Sequence, residues 1–511
     1  MRVARAFHDE TAHSPYSIRT SGHALEWDIK PFPFKVYADL EPIALPRDFP
    51  AIPTDALPAL TGPRDGAARL DLPTLASLLY HSAGVTKKKT YPGGVDVLFR
   101  AAPSTGALYQ TEVYVAAGDV AGLDAGLYHF CPGDFALRRL RSGDVRGALA
   151  AAAADDTLAR RAATVVLSAI YWRNTWKYQA RGYRHLFWDS GTMLANLEAA
   201  GRALGLGPRI VTGFVDDAVN GLLGLDVDHE AALELVPLGA ETAAALSAPT
   251  DPAIDHRVVP LSSSSVDYPR LREIHIASTL RSATDVSAWR RRPPPAPREP
   301  GHALRPLVAA RDTCGRTLGD TIQRRGSTRA FSDAPLTEIE LATTLWTATR
   351  PVTLDAASGL VDTYLIVNAV TGVDGGAYAY WPDAHALESI RAGAFRDRSA
   401  WLCLEQALAG DAAAVLFFVA PLDGVLAAYG NRGYRLVNLE AGIIGGRAYL
   451  AAYGQGFGAS GLTFYDGHVV EFFSPHAAGK DAVFVVALGR SRVAVRSSDA
   501  VIPVESRLRR T

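Results

Sequence analysis

The sequence repeats itself. GLYHFCPGDFALRRLRSG at 126–143 aligns without gaps on GAYAYWPDAHALESIRAG at 376–393. The same register, within a residue or two, carries TVVLSAI (164–170) onto AAVLFFV (413–419), RGYR (181–184) onto RGYR (432–435), and VPLG (236–239) onto VALG (486–489). Solenoid units recur every few tens of residues, so an offset near 250 means one domain present twice. A chain of 511 residues, 48% of them hydrophobic, has enough apolar material for two cores.

The repeat sets the expected boundaries. Residues 1–60 include the proline-rich KPFPFKVYADLEPIALPRDFPAIP and read as an extended N-terminal arm, for which a groove between two domains would serve as a bed. Copy one spans 61–250 and copy two 306–495. Between them, 251–305 contains WRRRPPPAPREPGHALRP and reads as an extended, semi-rigid linker, and 496–511 is a C-terminal tail.

Within each copy, helical and strand periodicities alternate, which predicts a mixed α and β domain. TEVYVAAG (111–118), TVVLSAI and AALELVPLG read as strands. Between the last two, HLFWDSGTMLANLEAAGRALGLG spaces Leu186, Met193, Leu197, Ala200 and Leu204 as one helical face, with Gly205 at the C-terminal cap. In copy two, Thr337 and Glu340 have capping-box spacing ahead of an apolar helix whose counterpart is LDLPTLASLLYHSAG. The long helix of copy two carries Gly442, Gly445 and Gly446, which suit close packing inside the domain or against another helix.

Several function classes are excluded early. A formal net charge of −1 gives no general attraction to nucleic acid or anionic membranes. Cys131, Cys314 and Cys403 are too few and too scattered for a disulfide framework or a thiolate metal site, so no metal is expected and a reducing cytoplasm fits. No stretch approaches the roughly 18 apolar residues of a membrane span, and no signal-peptide pattern opens the sequence. HExxH, P-loop and GxSxG motifs are missing, and GLGPRIVTGF lacks the strand-to-helix context of a dinucleotide fingerprint.

Two short motifs occur once each, in opposite copies. QRRGSTRAFSD of copy two holds Arg325, Ser327 and Arg329 as R-x-S-x-R. Two guanidinium forks and a hydroxyl can converge on a phosphate, and an exposed basic loop is the alternative reading. FRAAPSTGALYQTEVYV of copy one sets Pro103, Ser104 and Thr105 on a glycine-containing turn, where main-chain groups can reach a ligand. Complementary losses point to one composite site between the copies. A third asymmetry lies in WKYQARGYRH: Lys177 precedes the RGYR of copy one, whereas copy two has Ala428 beside Tyr429. Lys87–Lys89 read as an entrance for a peptide or anionic substrate or as a solvated run, and His185 as an acid-base group or a structural hydrogen-bond partner.

Together RRGSTRAF, RAAPSTGALYQTEVYV, GLYHF, WKYQARGYRH, the long helix after it and VTGFVDD resemble the nitroreductase fold, in particular the SagB and ThcOx type of flavin-dependent dehydrogenases. The N-terminal segment resembles the leader arm of longer, duplicated members. The resemblance implies an α+β protein of two fused nitroreductase-like domains forming an intrachain pseudodimer. It further implies one FMN, held by Arg325, Ser327, Arg329 and Arg490 of copy two and by Pro103, Ser104 and Thr105 of copy one.

Lys177 and Tyr178 match the family's Lys-Tyr acid-base pair. The implied activity is dehydrogenation of a peptide-derived thiazoline or oxazoline, with oxygen as acceptor and a cyclodehydratase or carrier protein as partner. The alternatives are an NAD(P)H-dependent nitro or quinone reductase and a non-catalytic scaffold subunit. The assembly expected is a monomeric pseudodimer or a homodimer.

Overall fold

A computed structural model describes residues 2–62, 66–91, 95–245, 254–296, 299–301 and 303–493. The expected tail at 496–511 and part of the proline run lie outside these residues. Each copy builds one antiparallel sheet. In copy one the strand order is Ile43–Ala44, Ala136–Ser142, Gly126–Cys131, Thr111–Ala117, Arg161–Ile170, Glu230–Glu241. Copy two repeats it as Leu304–Pro306, Ala386–Ala392, Gly376–Trp381, Asp362–Val367, Ala414–Ala420, Asp481–Gly489, and adds Gly458–Gly461 at the edge. At that place copy one keeps only an isolated bridge, Val211 to Leu235.

The two long helices, Gly182–Ala203 and Gly433–Gly454, are buried along nearly their whole lengths and form the centre of the molecule. Their close crossing depends on glycine. A Cβ on Gly191 would lie 2.6 Å from Leu439 O, and one on Gly442 would lie 2.6 Å from Trp188 O. Gly446 meets Thr192 and Ala195 in the same way, while Gly445 faces Phe484 and Val486 of its own sheet. The glycine stripe therefore serves both expected uses. Gly191 and Gly442 are counterparts, as are Tyr183 and Tyr434, whose rings lie parallel at 6.5 Å between centroids. A pseudo-twofold axis passes here.

The recurring RGYR is a reciprocal clamp about that axis. Arg432 and Arg435 of copy two bind Asp216 of copy one at 2.7 and 2.8 Å. Arg181 and Arg184 of copy one bind Asp466 of copy two at 2.9 and 2.5 Å. All six side chains are buried. Burial alone would raise the carboxyl pKa values, yet the arginines hold Asp216 at about 2 and push Asp466 further below the usual range.

The arm and the linker differ from expectation. Residues 1–60 are not extended throughout: helices Arg2–Glu10 and Pro15–Thr20 precede the proline-rich stretch. The supposed linker likewise contains helices Pro269–Ala277 and Ala283–Arg290. The two segments are themselves a repeat. Arg184 donates to His8 O at 2.7 Å and Arg435 to His275 O at 3.0 Å. Arg181 donates to Thr11 O at 2.7 Å and Arg432 to Ser278 O at 3.0 Å. Asp466 N bonds His13 O where Asp216 N bonds Leu280 O. EWDIKP at 26–31 then corresponds to AWRRRP at 288–293, in a gap-free register that continues to Ala44 and Pro306, each paired with the first residue of the neighbouring strand. What joins the copies is copy two's own arm, and prolines had disguised its short helices.

Candidate active site

A cavity of about 410 Å³ opens between the copies. Copy one supplies Pro103, Ser104, Thr105, Gly106, Lys177, Tyr178, Trp188, Asp189 and Thr192; copy two supplies Ser327, Arg329, Gln406, Tyr449, Gly461, Leu462, Thr463 and Phe484. The volume lies within the range of small-molecule sites.

The Pro-Ser-Thr turn is held from below by Asp189 of the long helix. Ser104 Oγ donates to it at 2.5 Å, Thr105 N at 2.9 Å, Thr105 Oγ1 at 2.7 Å and Gln110 Nε2 at 2.7 Å. Burial pushes the Asp189 carboxyl up to about 6 against these donors. Gly106 adopts φ +64°, and a Cβ there would sit 2.9 Å from Tyr178 Oη, so both backbone and space require glycine.

Lys177 and Tyr178 end the helix Tyr171–Tyr178, with Lys177 Nζ 5.4 Å from the Tyr178 ring centroid. Partial burial lowers the Lys177 pKa below the ordinary lysine value, and the charges of Arg329 and Lys30 lower it further. The Tyr178 phenol moves the other way: burial, reinforced by the Asp189 charge, raises it and keeps it protonated. Trp188 stacks on Phe484 at 5.0 Å and provides an aromatic wall that spans both copies. Tyr449 ties Ser327, 3.3 Å away, to the amide of Gly461.

Seven of the nine residues expected at the site line this cavity: Pro103, Ser104, Thr105, Lys177, Tyr178, Ser327 and Arg329. Two do not. Arg325 is buried and donates from Nε to Ala101 O and from Nη2 to Arg100 O, both at 2.8 Å, so it fastens copy two to the strand that leads into the turn. Arg490 forks onto Glu340 at 2.7 and 2.8 Å, bracing the capping box that Glu340 makes with Thr337. Lys87 is half-buried on the hairpin strand Val85–Tyr91, while Lys88 and Lys89 are exposed and Lys88 pairs with Asp96 at 2.9 Å. His185 is fully buried with Nδ1 2.8 Å from Asn174 Oδ1, the structural reading.

Sequence reasoning missed Asp189, Trp188, Gln406, Tyr449 and the Gly461–Thr463 strand end. Only Asp189, the one carboxylate on its face of that helix, left a signal.

The pseudosymmetric second site is filled. Trp289 of helix Ala283–Arg290 is 3% exposed, donates to Tyr429 O at 3.2 Å and lies against the Tyr429 ring at 5.8 Å. Arg290 binds Asp355 at 2.8 Å and Gly213 O at 3.0 Å, closing the same space.

With this geometry in view, known proteins give the family. The sequence profile of the Nitroreductase family matches residues 68–240 and 322–490, one match per copy. The chain belongs to the nitroreductase family. A crystal structure of a nitroreductase-family protein from Anabaena variabilis superposes with a TM-score of 0.77 at 28% identity, over 96% of this chain and 99% of that one, so the tandem architecture is shared entire. A nitroreductase-family protein of Methanocaldococcus jannaschii is 31% identical over 171 residues, 33% of this chain and 81% of its own. The microcin B17-processing protein McbC of Escherichia coli is 28% identical over 141 residues, 26% of this chain and about half (51%) of its own length. As a nitroreductase-superfamily member the chain is placed among oxidoreductases, and no helix among its described residues is long and apolar enough to cross a membrane.

Proposed function

We propose that the protein is an FMN-dependent dehydrogenase of the SagB and ThcOx type, which oxidises a peptide-derived thiazoline or oxazoline ring. The observation that carries this reading is the meeting, in one cavity, of Lys177–Tyr178 and the Pro103–Thr105 turn from copy one with Ser327 and Arg329 from copy two. The likeness to a microcin B17-processing protein supports a natural-product substrate. The residues present fit FMN: Trp188 and Phe484 offer aromatic surface, while Ser327, Arg329, Ser104 and Thr105 offer hydroxyl and guanidinium donors. FMN, when bound, supplies the acceptor for hydride.

Turning an azoline into an azole removes two hydrogens from the ring, one as hydride and one as a proton. Lys177 is the group that takes the proton, because burial and neighbouring cations favour its neutral amine. Tyr178, kept protonated, donates a hydrogen bond at the same end of the cavity. The composite walls orient the ring and exclude water. Oxygen would be the final acceptor, and a cyclodehydratase would supply the substrate.

The test is anaerobic stopped-flow reduction of the bound flavin by a synthetic thiazoline peptide. Wild-type flavin bleaches, and Lys177→Ala keeps its yellow colour while bleaching ~100-fold more slowly or worse, the usual loss for a positioned base. Equal rates in the two proteins would remove Lys177 from the reaction. Bleaching by NADPH and not by the peptide would replace the proposal with a reductase.

A further inference from the structure

The duplicated arms present the same device in two states. In copy two, Trp289 fills the second site and Arg292, three residues on, donates to Ala428 O at 3.2 Å; Ala428 stands where copy one has Lys177. In copy one the matching residues are Trp27 and Lys30. Trp27 is 65% exposed and leans edge-on against Trp176, 5.3 Å away, instead of entering the cavity. Lys30 sits over both rings, 5.4 Å from Trp27 and 5.9 Å from Trp176, and Trp176 N–H bonds Glu26 O to anchor the segment beside Lys177. Copy two therefore displays how far this arm segment reaches: onto the position of the Lys-Tyr pair.

Charge says what the copy-one segment would close upon. Lys177 lines the cavity and Lys30 lies near enough for its charge to bear on it, and among the described residues neither is paired with a carboxylate. Unpaired cations that repel one another are relieved by an anion. Trp27 keeps most of its ring in water, and laying it on a flat ligand would bury that apolar area.

We infer that Trp27 and Lys30 are substrate-binding residues, and that they recognise a flat ring carrying a carboxylate: Trp27 covers the ring and Lys30 pairs with the anion. This rests on the proposed use of the same cavity. It deepens that reading by giving the substrate an acidic group, but it does not depend on azoline chemistry.

The experiment therefore uses benzoate and its neutral counterpart benzamide, titrated into the flavin-loaded full-length protein and followed by the flavin absorbance. Benzoate should bind wild type at least 10-fold more tightly than benzamide. Lys30→Ala should abolish that preference while leaving benzamide affinity unchanged, and Trp27→Ala should weaken both ligands about 10-fold. Trp27→Phe should restore most of the loss. Wild-type preference and affinity in both Ala variants would overturn the inference and leave the Lys177 assignment untouched, as would equal binding of the two ligands to wild type.

Discussion

At the residue scale, the site's charge pattern tunes its own base. Lys177 works only as the neutral amine, so kcat/KM should rise with pH through its lowered pKa and level off above it. Arg329 contributes to that lowering. Arg329→Gln should raise the Lys177 pKa and move the acid limb of the profile upward by a few tenths to about one pH unit, measured in the same buffers as wild type. A limb that stays fixed would mean that another group titrates. The residues legible in sequence were those carried by a local motif, as in Ser327 and Arg329 or Ser104 and Thr105. Asp189, Tyr449 and Gln406 escaped because their roles exist only across the fold: Asp189 grips a turn 84 positions away. Arg325 and Arg490 show the converse. Their motifs drew attention to them, yet Arg325 donates to Ala101 O and Arg490 to Glu340.

At the element scale, the copies are joined by short segments ending in buried charge. Helices Asp216–Leu223 and Asp466–Phe473 each begin on the aspartate that the other copy's RGYR holds. Replacing Asp216 by Ala leaves Arg432 and Arg435 buried without a counter-charge, at a cost of about 3–5 kcal/mol, and should lower the thermal midpoint by several degrees. The pH dependence has a definite sign. The Asp216 pKa is depressed to about 2 in the folded protein, so its stabilisation is fully present above the unfolded value near 3.9 and is lost as pH falls toward about 2. Acid unfolding followed by tryptophan fluorescence should show a transition in that window, and Asp216→Ala should blunt it. RGYR was conspicuous in the sequence as a repeat, but its partners were not, because each aspartate lies in the opposite copy. The duplicated arm was invisible for another reason. Its spacing between helix and tryptophan differs by several residues, and only Trp and Pro survive in EWDIKP and AWRRRP.

At the scale of the whole molecule, symmetry in the backbone coexists with asymmetry in the sites. One cavity is open and lined by both copies, and the other is closed by Trp289 and Arg290. Flavin released by denaturation and quantified against protein should give a ratio near one. Trp289→Gly should leave that ratio unchanged, since the second site also lacks the R-x-S-x-R loop and the Lys. A ratio near two in either protein would contradict the composite cavity. Two fused domains could be read from the 250-residue offset alone, because sheets and long helices follow hydrophobic period. Which of the two interfaces stayed open could not, for it turns on where the arms lie.

The arms cross the molecule, and that has a price in time. Asp466 receives the amide of His13 from 453 positions earlier in the chain. On a ribosome adding ~5–20 residues per second, roughly 20–90 s separate the synthesis of that helix from that of its docking partner. Until then Phe7 and His8 can meet only the copy-one half of their native surroundings, Tyr183 and Arg184, and the docking of the arm is completed only when copy two arrives.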